Sequence, residues 1–374
     1  MKNRIYKYFF NEFFRYFLTV LFALTAIIWT IQAVNFLDLV TDDGHAFKIY
    51  LLYSFLNIPK MLTKLIPFTF LIAAILTILK FEKDNELIIL WTSGLNKIYI
   101  VNLIFRISVL VMFVQLIMST TINPTTLEIS RSLLKNSELQ FVPSLLKEKQ
   151  FNDTVEGLTI FVDKNESDGR YKNVFIRDDG NVLSGISTGS TTIFAKSGYV
   201  SEDEKSLILL KGNMQKISEN DSVNIISFEK TQISFQGLTT KSISEPKIQE
   251  TSTVQIIKCF DSKNMYTHNC SRHRNEAKDA KIEINKRFGM PIFIPLIALI
   301  CCFLLTSRRE KKINNYNKYI YFIIGFIILV LSEITVRYSG VSLNFALLYY
   351  LIPIILSPII YFLLIREFKY ENLN

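Results

Sequence analysis

The chain has 374 residues, of which 49% are hydrophobic, with a mean hydropathy of +0.27 and a formal net charge of +9. A soluble nucleic-acid binder would carry such charge as a basic stripe on a wet surface. Here the clustered basic residues stand beside long apolar runs, which excludes nucleic acid as a partner.

Six apolar runs, at about 13–37, 50–79, 99–122, 288–306, 316–338 and 344–365, predict membrane spans. Each approaches the ~20 residues that cross ~30 Å of hydrocarbon. Lys2, Arg4 and Lys7 precede the first run. That run is longer than the ~7–15 residues of a signal-peptide core, and no small-x-small site closes it, so it reads as a retained anchor. The connection Asp38–Lys48 holds Asp38, Asp42 and Asp43 against one lysine. The second run is ~45 Å long if wholly helical. Pro59 and Pro67 kink it, and Lys60 and Lys64 interrupt its outer half, where they either snorkel or face a wet cavity.

Residues 82–97 are too polar to cross a membrane and too apolar for an ordinary linker. Leu87, Leu90 and Trp91 share one helical face, Glu82 and Glu86 stand at its start, and Gly94 ends it. The segment is either a helix lying on the membrane surface or a docking helix for a cytoplasmic protein. Lys80, Lys83 and Lys97 lie in the same connection.

The polar insert, 123–287, is different material. Gly157–Asp163, Tyr171–Arg177, Thr191–Ala195, Ser206–Lys211 and Ile225–Lys230 are short β-rich runs separated by turn-forming stretches. They predict an antiparallel sandwich or jelly roll. Charged helical connectors are expected at Thr125–Lys149 and Ser271–Arg287. Cys259 and Cys270 are close enough in sequence for a disulfide in an oxidising compartment. Cys301 and Cys302 sit inside an apolar run and read as small buried hydrophobes.

Arg308, Arg309, Lys311, Lys312 and Lys318 separate the fourth and fifth spans, and Arg366 and Lys369 follow the sixth. Lysine and arginine mark the cytoplasmic side, so both termini are expected there and the insert outside. The expected architecture is an α-helical membrane protein with six transmembrane helices, three before and three after an inserted all-β, jellyroll-like domain. Its parts are 1–122, 123–287 and 288–374.

Catalytic chemistry is not legible. His45, His268 and His273 have no nucleophile or metal partner at motif spacing, and no P-loop motif is present. No cofactor is expected, and any energy must come from a partner or an ion gradient.

The order Leu65-Ile-Pro-Phe-Thr-Phe-Leu-Ile-Ala-Ala-Ile-Leu, then Glu86-Leu, then Gly94-Leu, resembles the lipopolysaccharide export permease family (YjgP/YjgQ, or LptF/LptG). Asn96 stands where that family has Ser or Thr. Glu-Ile-Asn-Lys-Arg-Phe-Gly-Met-Pro (283–291) is similar to the charged start of the family's fourth span, with Asn285 replacing a common His. Phe161-Val-Asp and Val174-Phe-Ile look closer to the LptF member than to LptG.

The resemblance implies a transporter subunit of the bacterial inner membrane without an ATPase of its own. Its partners would be a second permease of the family, as a heterodimer, a cytoplasmic ABC ATPase dimer and a periplasmic jellyroll bridge protein. Its cargo would be lipopolysaccharide. Glu86, Leu87, Leu90, Trp91 and Gly94 would form the coupling helix that fits the ATPase. A cavity for a phosphorylated lipid needs cations near the outer surface, and Lys60, Lys64, Arg131 and Arg337 are candidates. For Arg337 the alternative is an ion pair with Glu333 four residues before it. Rival classes are a membrane-anchored envelope-assembly scaffold and an intramembrane enzyme. The enzyme is disfavoured because no span offers paired carboxylates or a His-Glu motif.

Overall fold

The computed structural model describes residues 2–41, 46–136, 146–153, 155, 157–166, 169–179, 190–201, 206–217, 223–235, 247–258, 274–306 and 311–371. The candidate disulfide Cys259–Cys270, the three histidines, Asp42, Asp43, Arg308 and Arg309 lie outside the described residues.

The helices in chain order are α1 (Lys2–Asn35), α2 (Asp38–Thr41), α3 (Phe47–Leu56), α4 (Ile58–Lys83), α5 (Glu86–Thr92) and α6 (Lys97–Ile117). A π-helical turn, Met118–Ile122, leads directly into α7 (Asn123–Asn136). After the strands come a 3-10 turn (Ile248–Glu250), α8 (Thr253–Lys258), α9 (Arg274–Cys301), α10 (Lys311–Tyr338) and α11 (Leu343–Glu371). Among the described residues, six helical stretches are long and apolar enough to cross a membrane: Arg4–Thr41, Phe47–Lys83, Lys97–Leu134, Lys278–Leu305, Lys318–Tyr338 and Leu343–Lys369. The second is helical in two pieces, interrupted at Asn57.

Two compact units emerge, one of residues 1–29, 58–127 and 247–374, the other of 30–57 and 128–246. In the first unit, α9 is the central helix and packs against α4, α6, α10 and α11. Its residues Phe293, Ile294 and Leu296–Cys301 are all buried, the signature of a helix that is apolar all round. Close approach between helices requires glycine, as at Gly289 and Gly325. A Cβ on Gly289 would lie 2.1 Å from the Tyr349 ring, and one on Gly325 would lie 2.6 Å from Leu71. On α1, Phe9, Phe13, Phe17 and Leu21 recur every fourth residue and form a buried stripe. Phe13 meets Phe70 at 5.2 Å between ring centroids, and Phe9 meets Phe81 at 5.0 Å.

The second unit contains the expected all-β insert. Strands β1 (Phe151–Asn152), β2 (Leu158–Asn165), β3 (Arg170–Asp178), β4 (Thr191–Val200), β5 (Ser206–Ile217) and β6 (Val223–Ser234) form one antiparallel sheet in sequential order. Leu158, Ile160 and Val162 alternate with more exposed neighbours, as a half-buried strand must. The inward set then skips a residue, from Tyr171 to Val174 in β3 and from Ala195 to Gly198 in β4. Asn173 (φ 51°) and Lys211 (φ 50°) stand at this corner in left-handed conformation. Such local strain bends long strands so that both halves of the sheet feed one core. The other face carries a row of aromatic rings in register, Phe151 opposite Phe161, Phe161 opposite Phe175 and Phe175 opposite Phe194. In the same unit, Asn57 Nδ2 donates to Ser130 Oγ at 3.3 Å.

Candidate functional site

Three prolines prepare the site. A proline inside a helix has no N–H for the carbonyl four residues earlier, which must find another donor. Pro67 frees the Thr63 carbonyl, and Gln115 Nε2 donates to it at 3.4 Å. Pro291 frees the Arg287 carbonyl, and Ser119 Oγ donates to it at 2.9 Å. Pro124 frees the Thr120 carbonyl, and Thr253 Oγ1 donates to it at 2.5 Å. The second, third and fourth spans are thus joined by side-chain donors where their own ladders are broken. The π-helical turn brings Ser119 to this junction, and such turns recur at functional sites.

Between these spans lies a cavity of about 300 Å³. Lys60, Lys64, Lys286, Arg287, Glu283 and Glu333 bring its charge, while Pro67, Leu127, Met290 and Pro291 add apolar wall. Both carboxylates are engaged. Glu283 accepts from Arg287 Nε at 3.0 Å, and Glu333 pairs with Lys286. Arg287 is also spent. It is 3% exposed, and its remaining nitrogens donate to Thr253 Oγ1 at 2.8 Å and to the carbonyls of Gln249 and Thr251 at 3.2 and 3.0 Å. It therefore clamps the segment 247–258 onto α9. Among the described residues, no carboxylate reaches salt-bridge distance of Lys60 or Lys64, which stand one turn apart on α4. Gln115, 3% exposed, keeps its Oε1 without a hydrogen-bond partner among the described residues, at the cavity wall. The arrangement suits an anionic group that also carries hydrogen-bond donors.

Of the four cations proposed from sequence, Lys60 and Lys64 line this cavity. Arg337 lines a separate shallow groove with Lys278, Glu333 and Tyr338. Arg131 belongs to the second unit. The intrahelical alternative for Arg337 is corrected: Glu333 pairs with Lys286 across two spans. Sequence reasoning gave no role to Gln115, Ser119, Lys286 or Arg287. The available signal was a proline four residues after Thr63, Thr120 and Arg287, together with isolated polar residues in an apolar third span.

The segment 82–97 forms the short helix α5 (Glu86–Thr92), entered through Asn85 in left-handed conformation and left through Gly94 at φ 81°. Leu87 is buried, and Leu90 and Trp91 pack half-buried against the core of the first unit. The apolar stripe therefore holds the helix to its own protein. Outward-facing apolar surface comes instead from Ile88 and Ile89, 58% and 63% exposed. Glu86 accepts a hydrogen bond from Tyr8 at 3.1 Å. Lys97 stands 5.6 Å from the Trp91 ring centre, within cation–π range.

In the insert, Phe151, Phe161, Phe175 and Phe194 line a groove of about 750 Å³, with Lys196 and Lys211 beside them.

A 26%-identical relative is the uncharacterized protein RP871 of Rickettsia prowazekii (strain Madrid E), aligned over 62% of this chain and 63% of that protein. The family model "Lipopolysaccharide export system permease LptF/LptG" matches residues 7–366. Six apolar helices, an inserted antiparallel sheet and a match over nearly the whole chain lead to one conclusion: this protein belongs to the LptF/LptG lipopolysaccharide export permease family.

Proposed function

We propose that this chain is the permease subunit, LptF-like, of an ABC transporter that extracts lipopolysaccharide from the inner membrane and passes it to a periplasmic bridge. The observation that carries this reading is the pair Lys60 and Lys64, cations in an intramembrane cavity whose carboxylates are bound elsewhere. Ionisable groups within spans are costly and face protein or water, where they mark the path of a ligand. The headgroup phosphates would meet these lysines, and the acyl chains would lie along the apolar walls. Arg337 and Arg131 are further phosphate contacts in this reading, outside the cavity.

The chain would pair with a second permease and draw its energy from a cytoplasmic ATPase dimer. Glu86 and Gly94 would shape the coupling helix, with Leu87, Leu90 and Trp91 fixing it to the spans and Ile88 and Ile89 entering the ATPase. Both termini would be cytoplasmic, and residues 123–287 periplasmic. The aromatic groove of the insert is suited to acyl chains on their way to the bridge.

A photocrosslinking residue at Lys64 should capture lipopolysaccharide in living cells, whereas one at Ile355, on the outer face of the sixth span, should capture much less. Lys60→Gln with Lys64→Gln should abolish lipid extraction while ATPase co-purification persists. No capture at Lys64 together with normal transport by the double variant would overturn the cavity reading. No co-purifying ATPase would favour the scaffold.

A further inference from the structure

Glu333 faces two spaces. It lines the cavity on one side and, on the other, the groove that contains Lys278 and Arg337. Cations therefore stand on both sides of it, Lys60 and Lys64 within, Lys278 and Arg337 without. Lys286 holds the carboxylate and so ties the fourth span to the fifth. Beside this pair the same two spans touch again, where Ser332 Oγ lies 3.4 Å from Met290 Sδ. Arg287, next in sequence, cannot exchange partners because its guanidinium is buried and fully engaged. Among the described residues Lys286 has a single partner, and it is about one-third exposed.

We propose that the Lys286–Glu333 pair is an anion-operated latch between cavity and groove. This rests on the reading above that the cargo is an anionic lipid. A phosphate carries more charge and more acceptor oxygens than a carboxylate, so it competes for the Lys286 ammonium. Glu333 is then released, and Arg337, one turn further along α10, is in position to receive it. Neither Lys286 nor Glu333 loses one partner without another at hand, which would otherwise oppose the exchange. With Lys286 on the phosphate and Glu333 on Arg337, no ion pair holds the fourth span to the fifth here, and the wall between cavity and groove can part. The pair thus stays closed on an empty cavity and yields to a loaded one.

The contact between Met290 and Ser332 supplies the reporter. Met290→Cys with Ser332→Cys, in the full chain purified with its co-purifying subunits, should be trapped as a disulfide on oxidation. A protease site in the 307–310 connection scores the cross-link by whether the two halves stay joined. Lipopolysaccharide should lower trapping about fivefold or more, the low end for coupled sites, while dephosphorylated lipopolysaccharide should not. Glu333→Gln should give low trapping without lipid and no response to it. Lys286→Arg should retain both the trapping and the response. Arg337→Gln should keep the trapping and blunt the response, a result that a merely structural pair would not produce. Trapping that ignores lipopolysaccharide overturns the latch. Capture at Lys64 in the same preparation then tells whether the cavity reading falls with it.

Discussion

The fourth and sixth spans are nearly equal in apolarity and opposite in placement. Their most apolar stretches have mean hydropathies of 2.6 and 2.3, yet 78% of the first is buried in the protein and only 17% of the second. The fourth span contributes Gly289, against which the Tyr349 ring rests, and the polar start from Glu283 to Arg287. The sixth turns Leu347, Leu348, Ile354, Ile355 and Phe362 outward. Apolarity sends both helices into the bilayer, but it does not say which one meets lipid or another subunit and which meets its own chain. That choice follows from where small residues allow backbones to approach and where polar side chains must find partners.

Replacements on the inward side should have the largest effects. Arg287→Met should cost about 3–5 kcal/mol, because it leaves Glu283 and a set of carbonyls without their donor. It should be read as accelerated proteolysis within 247–258 and loss of folded protein in detergent. Gly289→Val should cost about 1–3 kcal/mol by overpacking, with partial recovery when Tyr349 is also cut to Ala. If that pair does not recover, the close helix crossing is not what glycine serves. On the outward side, Ile89→Asp should leave the fold intact and weaken ATPase co-purification about tenfold. Leu87→Asp, one face round the same helix, should instead lower the yield of folded chain. The smallest effect is expected for Phe362→Ala, within about 0.5 kcal/mol for the isolated chain. A large loss there in the assembled complex alone would identify that face as an interface rather than a lipid surface.

Much of the fold was legible in sequence. The apolar runs, the β-rich insert and the turn-separated strands all depend on local pattern. Boundaries were less so: Asn57 breaks the second span, the third continues helical through the π turn into α7, and β1 was not anticipated. At the candidate site, Lys60 and Lys64 could be singled out because a charge within an apolar run is conspicuous. Gln115 and Ser119 could not, because their roles depend on carbonyls freed by prolines on other helices. The helix at 86–92 was legible from its amphipathic spacing, but the face that binds its own core and the face left exposed were distinguished only by packing.

By itself, the sequence determined the number of spans, the interruption by a β-domain, the candidate cations and the family resemblance. These are properties of composition and spacing, which survive any rotation of one helix about its axis. The tertiary structure decided the partnerships. Glu333 had a cation four residues away on its own helix, yet it pairs with Lys286, 47 residues away in sequence. Helical spacing offers neighbours, but the rotation of two packed helices decides which charges meet.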